Sequence, residues 1–144
     1  MSTQFLDLSS LEDASAQLKT ALDYAKSNLA QADIKIFEQF RNSTVQCFEY
    51  TYELSIKSIR RFLEQTSDNP SLVDDWDFKD LIREAAVRGV IDNPNDWFDF
   101  RKLRNISSHA YSRSKAEEVY QRAGDLYQSS QNLLTFLKSK RGNP

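Results

Sequence analysis

The chain has 144 residues, 19 Lys and Arg against 21 Asp and Glu for a formal charge of −2, and 28% charged against 40% apolar residues. A domain of this length buries roughly two thirds of the surface its unfolded chain exposes, so it needs neither metal nor disulfide to fold. Three Gly and three Pro argue against a disordered or β-rich chain, and the slight acidity argues against a protein that coats nucleic acid.

Taken from the start, MSTQFLDLSS has neither the basic opening nor the apolar stretch of a secretion signal. Apolar runs such as Ala85 to Val87 fall far short of the roughly 20 residues of a membrane helix, so no membrane contact and a cytoplasmic location are expected. Ser10 is placed to cap a first helix from about Leu11 to Ala30, whose stripe is Leu11, Ala14, Leu18, Leu22, Ala25 and Leu29. A longer second helix is expected from about Asp33 to Gln65, with Phe37, Phe40, Thr44, Cys47, Phe48, Thr51, Tyr52, Ile59 and Phe62 on one side. Cys47 is the sole cysteine, which excludes an intramolecular disulfide and reads as core packing.

The SDNPS turn, Ser67 to Ser71, ends the long helix. A short third helix starts near Asp77, buries Phe78, Leu81, Ile82 and Ala85, and stops at Gly89, which suits the left-handed position after a helix. Asp92, Asn93 and Pro94 turn the chain into a fourth helix from about Asn95 to Ala110. Ser114 and Glu117 have the spacing of a capping box for the last helix, with the stripe Val119, Ala123, Leu126, Ser130, Leu133 and Leu137. These elements predict an all-α fold: one domain over residues 1–144, an up-and-down bundle of four principal helices with an extra short helix, and a tail frayed from about residue 139.

Chemistry is narrowed by elimination. There is one His, one Cys, no glycine-rich phosphate loop and no His/Cys grouping with zinc spacing, so no metal site is assigned, although a carboxylate-only magnesium site stays conceivable. A serine triad could use only His109, and no nucleophile elbow accompanies it. Charge is uneven: Phe100 to Ala116 holds Arg101, Lys102, Arg104, Arg113 and Lys115 with no acid, while Asp68, Asp74, Asp75, Asp77 and Asp80 collect elsewhere.

At about 100° per residue, Phe100, Leu103, Ile106 and Ala110 share one arc of the fourth helix, which places Arg101, Arg104, Asn105, Ser108, His109 and Tyr111 off the core face. Trp97 and Phe98 also leave that arc, and large aromatics on a polar face suit a dimer or partner surface, the alternative being packing against the Asn69 to Trp76 loop. An imidazole can take a proton from a ribose 2′-hydroxyl, and a guanidinium can hold phosphate oxygens and developing charge, so His109 with Arg104 suffices in principle for metal-independent RNA cleavage. The in-line reaction also wants a general acid, which a second copy of the site across a dimer could supply. Asn105 could orient His109 from one turn away, and Glu49 and Glu53 could pair with Arg104 or Arg101 or simply be solvated.

Arg104, His109 and Tyr111 within RNISSHAY fit the R-x4-H-x-Y pattern of the HepT-like branch of the HEPN superfamily. VQCFEYTYELSIKSIRRFLE, Val45 to Glu64, resembles the long second helix of the nucleotidyltransferase substrate-binding protein family, and REAAVRGVIDNPNDWFDFRKLRNISSHAY, Arg83 to Tyr111, resembles its next block. Ile56, Phe100 and Ala110 stand where the family usually has tryptophan, methionine and threonine, so packing and substrate choice could differ while the motif side chains remain.

The resemblance implies a HEPN-like helical bundle, a homodimer and a small nucleotidyltransferase partner. In the toxin branch the motif's Arg and His cleave RNA between subunits, and its Tyr is adenylylated by the partner. By this resemblance Arg104 binds phosphate, His109 is the acid/base and Tyr111 the modified acceptor; Asn105 and Ser108, from their places on the same outward face, are expected to support them, and the chain needs no cofactor, while the partner uses ATP and Mg. A non-catalytic docking or substrate-binding subunit of a nucleotidyltransferase complex is the alternative, and a purely structural helical dimer a third.

Overall fold

In the computed structural model, which describes residues 6–140, seven helices follow one another: α1 (Ser9–Ala25), α2 (Asn28–Ala32), α3 (Ile34–Thr66), α4 (Pro70–Asp74), α5 (Phe78–Val87), α6 (Pro94–Ser107) and α7 (Arg113–Lys140), and no strand occurs among the described residues. The expected all-α, HEPN-like bundle is present. Its four principal helices are α1, α3, α6 and α7, with α1 packed on α3 and α7, and α6 on α7 and α3. Three short helices accompany them where one was expected.

The first extra helix arises because the leading helix is not continuous to Ala30. Lys26 closes α1, and Ser27, in extended conformation, accepts a hydrogen bond from the Ala30 amide at 3.3 Å and starts α2 afresh. The interruption shifts the helical phase. Leu11, Ala14, Leu18, Leu22 and Ala25 are buried as their spacing requires, but Leu29 is 60% exposed and Ala30 takes the inward place. The second, α4, forms within the loop after α3, with Pro70 in its first turn where a missing amide costs nothing.

Local signals place the other boundaries closely. Asp33 caps α3 through the Lys35 amide at 2.9 Å, Asp77 caps α5 through the Asp80 amide at 2.8 Å, and Asn93 caps α6 through the Asn95 amide at 3.1 Å. Gly89, at φ +77°, ends α5 with bonds from its own amide to the Ala86 carbonyl and from the Val90 amide to the Ala85 carbonyl. The capping box at the last helix does not form as expected: α7 begins at Arg113, two residues before the Lys115 start that a Ser114 cap requires, and the Ser114 hydroxyl lies 3.1 Å from that of Ser112. α7 continues through Lys140, and the rest of the tail expected to fray, 141–144, lies outside the described residues.

The principal helices close around Leu18, Phe48, Ile59, Leu63, Phe100, Leu126 and Leu133, all essentially inaccessible, each side chain contributing roughly 1.5–3 kcal/mol by leaving water. One polar chain crosses the α1–α7 seam: Gln131 Nε2 donates to Ser15 Oγ at 2.9 Å, Ser15 and Ser130 hydroxyls meet at 2.7 Å, and Ser130 Oγ donates to the Tyr127 carbonyl at 2.7 Å. The buried hydroxyls of Ser15 and Ser130 are thereby both satisfied, and the register of α1 on α7 is fixed. On the opposite seam, Phe48 of α3 meets Phe100 of α6 edge to face at 6.2 Å, which sets the long helix beside the segment that carries the motif.

Candidate functional site

The wheel drawn for the fourth helix breaks down at its end. Asn93 and Pro94 begin α6 as expected, but regular helix stops at Ser107, so Ser108, His109, Ala110, Tyr111 and Ser112 form a turn between α6 and α7. Three tight bonds carry the chain across: the His109 amide to the Ile106 carbonyl at 2.8 Å, the Ala110 amide to the Ser107 carbonyl at 3.1 Å, and the Ser112 amide to the His109 carbonyl at 3.1 Å. Ala110 packs against the core and pins the turn, leaving the side chains on either side of it outside. His109 and Tyr111 meet there edge to face, ring centroids 6.0 Å apart, with Tyr111 87% exposed.

Arg104 sits within α6, half-buried, and its guanidinium is taken up by the long helix. Nε and Nη2 donate to the same oxygen of Glu53, Oε1, at 2.9 and 2.7 Å, and Nη1 donates to Glu49 Oε2 at 3.0 Å. Glu49 and Glu53 are one helical turn apart on α3, so both carboxylates project from one face toward α6. Solvation, the alternative weighed for them, gives way to pairing. The Glu53 hydrogen bond, with the charge of both carboxylates, raises the Arg104 pKa beyond its already high ordinary value.

Ser107 completes the cluster and was not singled out from the sequence. It is buried, its hydroxyl lies 2.5 Å from Glu49 Oε2 and 2.7 Å from the Arg104 carbonyl, and it stands 3.4 Å from Arg104 Nη1. The available signal was its spacing: three residues after Arg104 and four after Leu103, it shares their side of the helix. The neighbouring Ser108, expected as a supporting residue, is exposed and donates its hydroxyl to the Asn105 carbonyl at 3.0 Å. Asn105 is exposed, and no hydrogen bond joins its side chain to His109 among the described residues; with His109 past the end of α6, the one-turn relationship expected of the pair no longer holds.

The aromatic pair divides. Trp97 is only 2% exposed and packs edge to face on Phe100 at 5.3 Å, so it belongs to this chain's own core rather than to an outward surface. The assumed arc was too narrow: α5 and α7 both cover α6, so a broader face turns inward. Phe98 is partly buried and meets Phe78 of α5, ring centroids 6.1 Å apart. Arg101 remains exposed, with its guanidinium 4.4 Å above the Phe78 ring. The charges of Arg101 and Arg104 also reach Tyr52 of α3, whose phenol burial pushes up to about 12 against their opposing pull.

The far side of the turn is also tied to α3. Arg113 Nε lies 2.8 Å from Glu38 Oε2, and the largely buried Arg41 reaches the same Glu38 oxygen at 3.8 Å and Glu117 at 3.6 Å. The turn bearing His109 and Tyr111 is thus flanked by ion pairs to one helix: Arg104 on Glu49 and Glu53, Arg113 on Glu38. Chemically, the arrangement offers an exposed imidazole beside an exposed phenol, with a guanidinium held on the adjoining helix.

Comparison with known proteins gives this geometry a context. A family described as nucleotidyltransferase substrate binding protein like matches residues 6–139. A Haemophilus influenzae protein bearing the name "Probable ribonuclease HepT" is 38% identical over 96 residues, which span 67% of this chain and 66% of that protein. A solved Haemophilus influenzae structure, described as revealing the fold of a substrate binding domain of a nucleotidyltransferase, is similar with a TM-score of 0.86 and 30% identity, covering 92% of this chain and 99% of that one. A Thermus thermophilus structure shares the fold with a TM-score of 0.67 at 22% identity, over 88% of this chain and 98% of the other.

Proposed function

The chain belongs to the nucleotidyltransferase substrate binding protein like family, and from that premise we propose that it is a HepT-like, metal-independent endoribonuclease paired with a small nucleotidyltransferase that silences it by adenylylating Tyr111. The carrying observation is the pairing of an exposed His109 with an exposed Tyr111 on one pinned turn, directly after the helix that holds Arg104. In this reading His109 takes the proton of a ribose 2′-hydroxyl as that oxygen attacks the adjacent phosphorus. The bond from phosphorus to the 5′-oxygen breaks, giving a 2′,3′-cyclic phosphate and a 5′-hydroxyl. The leaving oxygen takes its proton from the site of a second copy in a homodimer, and Arg104 carries the charge developing on the phosphate.

Silencing follows from position. Tyr111 Oη attacks the α-phosphorus of ATP bound with Mg on the partner, pyrophosphate leaves, the phenolic proton passes to solvent, and the attached AMP stands beside the imidazole. The relative with a ribonuclease name supports the nuclease part. The test has two halves. Mass spectrometry after incubation with ATP, magnesium and the cognate nucleotidyltransferase should show added adenylyl mass on the native chain and none on Tyr111→Phe. His109→Ala should abolish RNA cleavage, and cleavage retained by that variant would overturn the chemistry.

A second reading, a non-catalytic subunit that docks the nucleotidyltransferase and presents its substrate, is favoured by one observation: Arg104 is already neutralised by two carboxylates. A stable complex on gel filtration, without adenylyl transfer or RNA cleavage, would select it.

A further inference from the structure

We propose that Glu53 is a built-in placeholder for a substrate phosphate on Arg104, displaced when a phosphodiester binds, whereas Glu49 is the fixed anchor that aims the guanidinium. The inference rests on the reading of Arg104 as a phosphate-binding residue. The two carboxylates hold different edges of the guanidinium. Nε and Nη2 form the fork that suits a carboxylate or phosphate, and both nitrogens converge on a single oxygen of Glu53. Nη1, on the other edge, goes to Glu49.

The surroundings of the two acids separate their roles. The Glu49 side chain is 25% exposed and its bonded oxygen also accepts from the buried Ser107 hydroxyl at 2.5 Å, so it is tied to α6 by two donors. The Glu53 side chain is 54% exposed, and Arg104 is its sole ion-pair partner among the described residues. A phosphate arriving from solvent can therefore take the fork by exchanging with Glu53, which moves into water at little cost because exposed ion pairs are weak. Displacing Glu49 would break a half-buried pair and take from the Ser107 hydroxyl the shorter of its two acceptor contacts, leaving it the Arg104 carbonyl alone.

Charge favours the exchange over simple addition. Arg104 with both carboxylates carries a net −1, which repels a phosphodiester; once Glu53 has left, the guanidinium and Glu49 together are neutral. Glu53 thereby sets a threshold: an isolated anion gains little over the resident carboxylate, whereas an oligonucleotide making further contacts along Arg101 and Lys102 can pay for the displacement.

The probe is a fluorescent single-stranded 2′-O-methyl RNA, which carries the phosphates but cannot be cleaved, titrated at fixed salt into the full chain and its Glu53→Ala, Arg104→Gln and doubly substituted forms. Alanine suits a helix interior, so Glu53→Ala retains the fold, with circular dichroism as the check. Glu53→Ala should bind roughly five- to tenfold tighter, Arg104→Gln more weakly, and the gain from Glu53→Ala should vanish in the Arg104→Gln background. Unchanged or weaker binding by Glu53→Ala overturns the proposal, and so does an equal gain with and without Arg104, which would mark a general charge effect. Wild-type binding that depends on Arg104 while Glu53→Ala gains nothing defeats the placeholder alone. No binding by either the native or the Glu53→Ala chain defeats the phosphate reading of Arg104 and this inference with it.

Discussion

Ser107 reaches across 58 positions of sequence to place its hydroxyl 2.5 Å from Oε2 of Glu49, joining the last residue of α6 to the middle of α3. That contact, with the Arg104 fork beside it, fixes where the helix ends and the motif turn begins. Ser107→Ala removes a donor from a half-buried carboxylate and should cost roughly 1–2 kcal/mol, read as a lower urea midpoint at unchanged slope. No shift in the midpoint would show that Glu49 is held by Arg104 alone.

Tyr111 offers the contrasting case. At 87% exposure it contributes almost nothing to packing, so Tyr111→Phe should leave stability within about 0.5 kcal/mol of the native chain. Any loss of adenylyl acceptance in that variant is then chemical. A marked fall in thermal midpoint would instead point to a structural task for the phenol.

Trp97 should behave as core. Trp97→Ala removes a 2%-exposed side chain that packs on Phe100, with an expected cost of roughly 3–5 kcal/mol by denaturant unfolding. A near-neutral substitution, as for a residue reserved for a partner, would contradict the burial.

Gly89 isolates a backbone effect. A Cβ built there would meet nothing within 4 Å, so the cost of Gly89→Ala is conformational, from holding alanine at φ +77°. Roughly 1–2 kcal/mol of destabilisation is expected, and Gly89→Asn should lose less.

Tyr52 supplies a pH dependence. Burial pushes its phenol from 10.0 up to about 12, so the folded chain keeps a proton that the unfolded chain releases. The stabilisation is whole below pH 10 and declines as pH rises toward 12, by an amount on the order of 2 kcal/mol. Ultraviolet titration should show one tyrosinate step near pH 12 that is missing from Tyr52→Phe, whereas a step at the ordinary tyrosine value would refute the shift.

Much of the fold was legible in local sequence. Asp33, Asp77 and Asn93 act at the helix starts where their residue types suggest, Gly89 takes the left-handed position, and the α7 stripe from Val119 to Leu137 is wholly buried. Misreadings occurred where a neighbouring helix outweighed the local pattern. Leu29 kept the spacing of α1, but a break at Ser27 changed the phase. Trp97 lay off a narrow arc, but a second packing partner widened the buried face.

The sequence by itself determined the helices, their core stripes and the Arg104, His109 and Tyr111 motif, because caps, periodicity and residue chemistry act over a few positions. Only the tertiary structure decided the motif's electrostatics. Read along the chain, Phe100 to Ala116 is basic without an acid in it; in space, α3 brings Glu38 to Arg113 and Glu49 and Glu53 to Arg104. Coulombic and hydrogen-bond energies depend on distance through space, and the partners that matter lie more than fifty positions away along the chain.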